Sequence, residues 1–127
     1  MNLLDLELAT GMPGNPAHFT GSVLLTTASE ELGPVKLIRV EFAPRARTHW
    51  HTHSGAQLLF VVAGACRYQQ WGGPLLEARA GQVVHIPAGE KHWHGAAPGG
   101  PMVHLAVNIA LETQWLEAVS DEQYTAG

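Results

Sequence analysis

Between Phe19 and Ile109 the chain is a succession of nine short runs, none longer than ten residues, separated mainly by glycine and proline. They are FTGSVLLTT (19–27), VKLIRVEFAP (35–44), THWHTH (48–53), AQLLFVVAG (56–64), CRYQQW (66–71), LLEARAG (75–81), VVHIPAG (83–89), KHWHG (91–95) and MVHLAVNI (102–109). The alternation is clearest in the second, where Ile38, Val40 and Phe42 share one face and Leu37, Arg39 and Glu41 the other. A period of two over so few residues reads as half-buried strand. Many short strands without a helical period predict an all-β sandwich or barrel. Two stretches stay open: SEELGP (29–34) as a helical turn or a loop, and ETQWLEAV (112–119) as strand or helix. Ser120 followed by Gln123 has the spacing of a capping box and predicts a terminal helical turn.

Length and charge narrow the function classes. A chain of 127 residues is read as one domain over 1–127, able to bury roughly two-thirds of its unfolded surface. Seven basic residues stand against eleven acidic ones, a net charge of -4 with no basic cluster, so no nucleic-acid partner is expected. One cysteine, Cys66, excludes an intrachain disulfide framework and suits a reducing compartment; in a strand interior it reads as a small buried hydrophobe. MNLLDLELAT has two acids and no basic run, unlike a secretory leader, and no apolar run has the length of a membrane span. The expectation is a cytoplasmic protein with no membrane partner.

Histidine is the residue out of line, eight in all and seven of them between His49 and His104. In a regular strand His49, His51 and His53 would share one face, with Trp50 and Thr52 opposite. His92 and His94 repeat the spacing, and His104 and Asn108 continue it. Imidazoles are costly to bury side by side unless something binds them. If these faces converge inside a barrel, a divalent transition metal is the economical occupant, since neutral imidazole suits zinc, copper, iron and nickel. His18 and His85 have no partner in the pattern and read as surface residues; Trp50, Trp71, Trp93 and Trp115 read as packing.

HTHSGAQLLFVVAG and GQVVHIPAGEKH resemble the two sequence motifs of the cupins. His51, His53, Gly64, Gly81, Pro87, Gly89 and His92 fall on the pattern, with the likeness and its flanks covering about residues 35–109. The resemblance implies a single-domain cupin, a double-stranded β-helix or jelly-roll-like barrel, with a metal held by motif residues. Three positions depart from it: Arg45 stands where the motif has glycine, Ala96 where it has asparagine, and Gln57 where it has an acid.

ARTHWHTH, GEKHWHGAAP, HLAV and DEQY are similar to a smaller group, the bacterial cupin-type hydroxynitrile lyases. That likeness implies one divalent metal per chain, manganese or iron foremost with zinc or nickel as alternatives, on His51, His53, Gln57 and His92. It implies His94 and His104 as proton-handling residues, and Ile38, Val40 and Asn108 as substrate contacts. His49 stands where that group has a small residue, and reads as pocket-shaping. The expected activity is cleavage or formation of cyanohydrins, small-molecule substrates. An iron-dependent dioxygenase and a non-catalytic metabolite-binding cupin are the alternatives. A homodimer is expected, with Trp115 and the first strand as candidate interface elements.

Overall fold

The computed structural model describes residues 1–6, 11–29 and 32–126. Among them the short runs become thirteen strands and one short helix. In chain order these are β1 (Met12–Pro13), β2 (Phe19–Thr20), β3 (Val23–Ala28), β4 (Val35–Phe42), β5 (Arg47–Thr48), β6 (His51–His53), β7 (Gln57–Ala63), β8 (Ala65–Gln70), β9 (Leu76–Arg79), β10 (Val83–Ile86), β11 (His92–Ala96), β12 (Met102–Ile109), β13 (Thr113–Trp115) and α1 (Asp121–Thr125).

All pairings are antiparallel and form two curled sheets. The first runs β1-β3-β4-β12-β7-β10; the second runs β13-β6-β11-β5-β2, with β8 and β9 added alongside β11. The period of two decides what enters the barrel. Along β7, Gln57, Leu59 and Val61 are buried while Leu58, Phe60 and Val62 are exposed. Phe42, Leu59, Val61 and Met102 from the first sheet meet Phe19, Cys66 and Ala96 from the second in one core. Burial raises the Cys66 thiol to about 12, so it packs and does not react.

The chain crosses from β7 in one sheet to β8 in the other at Gly64, at φ +77°, where a Cβ would run into the Pro101 carbonyl oxygen. Arg45 keeps the left-handed backbone (φ 69°) that its motif glycine would take without strain. Its guanidinium lies 5.4 Å over the Tyr124 ring.

Several expectations are corrected or decided. THWHTH is not one strand: it breaks at His49 and Trp50 into β5 and β6, because the His49 amide bonds to the His18 carbonyl (2.8 Å) and the Trp50 amide to Glu117 (2.9 Å). The turn after β10 spans Pro87–Glu90 (Glu90 N to Pro87 O, 3.4 Å), so Pro87 is its first residue and Gly89, at φ +79°, its third. Residues 112–119 contain strand β13, and the capping box at Ser120 and Gln123 forms. The 29–34 stretch falls partly outside the described residues; of those described, Ser29 has no regular structure and 32–34 are bend and turn, not helix. Among the described residues no helix is long and apolar enough to cross a membrane.

Candidate metal centre

β6 and β11 lie side by side with His51 paired to His92, and their alternation turns His51, His53 and His92 inward together. One nitrogen from each ring can be chosen so that all three lie within 4.8 Å of one another. The ring centroids are 4.2 Å apart for His51–His92, 4.9 Å for His51–His53 and 5.0 Å for His53–His92. At this spacing the three rings could offer their donors to one cation.

Hydrogen bonds choose which nitrogen faces inward. His51 Nδ1–H donates to the His49 carbonyl (2.9 Å), and His92 Nδ1–H donates to the Glu90 carbonyl (2.8 Å). Each bond leaves Nε2 as the lone-pair nitrogen and holds the ring, as metal-ligating histidines are usually held. His49 therefore contributes its backbone rather than its imidazole, which lies outside the cluster near His18.

Gln57 enters from the other sheet at the first position of β7. Its Nε2 donates to Asn108 Oδ1 on β12 at 2.7 Å, and its Oε1 is buried with no partner. His92 Nε2 and His53 Nδ1 are likewise buried and unpartnered. An unmade hydrogen bond to a buried acceptor costs about 1–3 kcal/mol. Several such atoms in one place fit a divalent cation, and no carboxylate belongs to the cluster among the described residues.

Burial works in the same direction. Desolvation, followed by the neighbouring His92, lowers His53 to about 4; desolvation lowers His92 to about 4, and desolvation followed by the neighbouring His92 pushes His51 well below its ordinary value. The three imidazoles are thus neutral at pH 7, with lone pairs a metal could take.

Deeper in the barrel stands a second imidazole pair. His104 Nε2 and His94 Nδ1 are 3.0 Å apart, and one donates to the other according to tautomer. The His94 amide is fixed by Thr48 Oγ1 (3.2 Å), and Phe42 lies edge-on or tilted to both rings. The His94 ring is 5.4 Å from His51 and 5.8 Å from His92. Its Nε2 and the His104 Nδ1 are buried without partners. Desolvation holds His104 at about 4 and His94 well below its ordinary range, so both are neutral near pH 7.

A cavity of about 660 Å³ has Phe19, Leu25, Ile38, Asn108, Trp115 and His18 in its lining, and it meets the cluster through Trp115, whose ring is 4.6 Å from His51, and through Asn108, which accepts from Gln57. Ile38 and Asn108 are among the residues that line it. Val40 does not: it is 5% exposed, packed in the core and paired in register with His104. His18 is not a free surface residue either, since it stacks flat on Trp115 at 4.4 Å. Trp115 in turn lies 4.6 Å from His51 and 5.7 Å from Phe19, so it walls the site instead of facing outward for a partner. These three wall residues carried no periodic signal, because a loop and two very short strands bring them there. His85 is exposed.

A curled antiparallel barrel with inward histidines from both motifs defines the class. Residues 38–108 match the cupin domain model, and the chain belongs to the cupin family. It is 44% identical over 111 residues to the (R)-mandelonitrile lyase of Granulicella tundricola, covering 84% of this chain and 85% of that protein. A cupin-like protein from Thermotoga maritima superimposes with a TM-score of 0.87 at 36% identity, covering 94% of this chain and 95% of that one. The polyketide cyclase RemF from Streptomyces resistomycificus shares the fold alone, with a TM-score of 0.71, 20% identity and coverage of 98% and 90%.

Proposed function

We propose that this chain is a metal-dependent lyase that cleaves or forms cyanohydrins, with one manganese or iron ion per chain on His51, His53, Gln57 and His92. The observation that carries it is the cluster of three buried imidazoles with nitrogens within 4.8 Å of one another, supported by a buried Gln57 Oε1 that has no partner, in a chain 44% identical to a mandelonitrile lyase. A divalent metal on these donors supplies Lewis-acid polarisation of the substrate oxygen.

The protein's own groups do the rest. With His94 Nδ1–H donating to His104 Nε2, His94 Nε2 keeps its lone pair and takes the substrate hydroxyl proton. The O–H electron pair becomes the carbonyl π bond, and the C–C bond pair leaves with cyanide. The proton then passes from His94 to cyanide, releasing aldehyde and hydrogen cyanide and restoring the neutral pair. The burial that keeps His94 neutral also makes it a weak base, so the hydroxyl has to be acidified before it can lose its proton. Gln57 suits this demand because it is uncharged and does not repel the developing oxyanion.

The test is aldehyde release from (R)-mandelonitrile by protein loaded with Mn²⁺ or Fe²⁺, followed with and without oxygen. Turnover under both conditions, abolished by a chelator and by His51→Ala/His53→Ala together with loss of bound metal, is the expected result. A requirement for oxygen would move the assignment to a dioxygenase. No turnover with either metal would leave a binding cupin.

A further inference from the structure

Gln57 and Asn108 form a pair of buried amides, 5% and 8% exposed, facing each other in register across β7 and β12. An amide offers one acceptor oxygen and two donor hydrogens at its opposite ends. If Gln57 turns Oε1 to the histidines, only Nε2 is left for its neighbour, and Asn108 has to accept with Oδ1. That is the arrangement found, at 2.7 Å. Asn108 then has Nδ2 as its outward end, and no other hydrogen bond engages that nitrogen among the described residues. Asn108 is also part of the wall of the 660 Å³ cavity, between Ile38 and Trp115. The liganding orientation of Gln57 thereby sets the polarity of the substrate wall one residue away.

We propose that Asn108 is the hydrogen-bond donor that receives the nitrile nitrogen of the substrate, in an orientation dictated by Gln57. The proposal rests on the lyase reading. As the C–C bond breaks, its electron pair goes to the cyanide carbon and negative charge spreads to the nitrogen, while the hydroxyl proton sits on His94. A donor at that nitrogen bonds a neutral nitrile weakly and a departing cyanide strongly. Its contribution is therefore larger in the transition state than in the bound substrate, and appears in kcat more than in KM. Asn108 also remains a positioning residue, because its Oδ1 keeps Gln57 from rotating away from the histidines. Lys36, paired with Asn108 from the other side on β4, is the competing donor at the rim.

The probe is phenylacetonitrile, which has the ring and nitrile of mandelonitrile but no hydroxyl to lose, read by its C≡N infrared band on manganese-loaded protein. Bound to the wild type, the band should carry the shift of a hydrogen-bonded nitrile. Asn108→Asp still accepts from Gln57 but has no donor; it should keep about one metal per chain, lose the shift, and lower kcat at least tenfold with a smaller change in KM. Asn108→Leu should lose both the shift and metal affinity. Gln57→Glu tests the coupling without touching Asn108: a carboxylate cannot donate, so Asn108 turns its Nδ2 toward it, and the shift should vanish while metal stays. An unchanged band in Asn108→Asp or Gln57→Glu, or its loss in Lys36→Met instead, overturns the proposal. Wild-type turnover with an unchanged band refutes this inference alone, whereas absence of turnover in the wild type refutes the lyase reading.

Discussion

In the proposed centre, Gln57 is the donor whose charge would set the chemistry. A carboxylate there would add a full negative charge to the donors, tightening the metal and weakening its pull on a substrate oxygen. Gln57→Glu should therefore bind Mn²⁺ at least as tightly as the wild type, while mandelonitrile turnover falls by tenfold or more. A tenfold loss corresponds to about 1.4 kcal/mol of transition-state stabilisation. Metal titration beside steady-state kinetics checks it, and equal turnover in both forms would show that the amide has no electronic role. The three histidines of the centre were legible because alternation and two motifs coincide on them. His49 misled for a physical reason. Its backbone is captured by the His18 carbonyl (2.8 Å), and the strand breaks there, a long-range bond that no local pattern announces.

Among the elements, α1 is short but acts as a clasp. Ser120 caps it reciprocally with Gln123, and it seats Tyr124 at 0% exposure against Trp93 and Val119. The Tyr124 hydroxyl donates to the Ala96 carbonyl on β11. Arg47 (4.6 Å), Arg67 (5.2 Å) and Arg45 (5.4 Å) surround its ring, and Arg47 also reaches Asp121 (2.8 Å) and the Val119 carbonyl (2.9 Å). The clasp thus ties the end of the chain to the strand that carries His92 and His94. Tyr124→Ala should lower stability by about 3–5 kcal/mol, the range for deleting a large buried aromatic, measured by chemical denaturation of the metal-free protein. A loss below about 1 kcal/mol would mean that the helix is ornamental. The capping box could be read locally, since it depends on residues three apart. β13 could not, because Thr113–Trp115 is a strand only by pairing with His51–His53 sixty residues earlier in the chain.

For the whole molecule, the outer face of the six-stranded sheet is the unfinished surface. Leu58 (40%), Phe60 (44%) and Val62 (49%) on β7 lie exposed beside Val83 (50%) on β10, with Val83 directly opposite Phe60. Clustered apolar side chains of this kind mark an association surface. The expected twofold dimer should therefore form through this face and not through Trp115, which is engaged inside. Light scattering at micromolar concentration should give twice the chain mass, and Phe60→Glu should give the monomer with its metal content unchanged. A monomeric wild type would remove the prediction.

The amino-acid sequence by itself determined the all-β class, the rough positions of most strands, although the runs 19–27 and 48–53 each divide into two, and the histidines that cluster. Each of these depends on local periodicity, on turn residues, or on motifs whose members lie close along the chain. Only the tertiary structure decided that His49 gives its carbonyl and not its ring, that Val40 packs in the core, and that His18, Phe19 and Trp115 wall the cavity. It also decided that Gln57 and Asn108 face each other amide to amide. Such facts depend on which strand lies beside which and on where each buried donor finds its acceptor. Alternation says which residues point inward; register between distant strands says what they meet there.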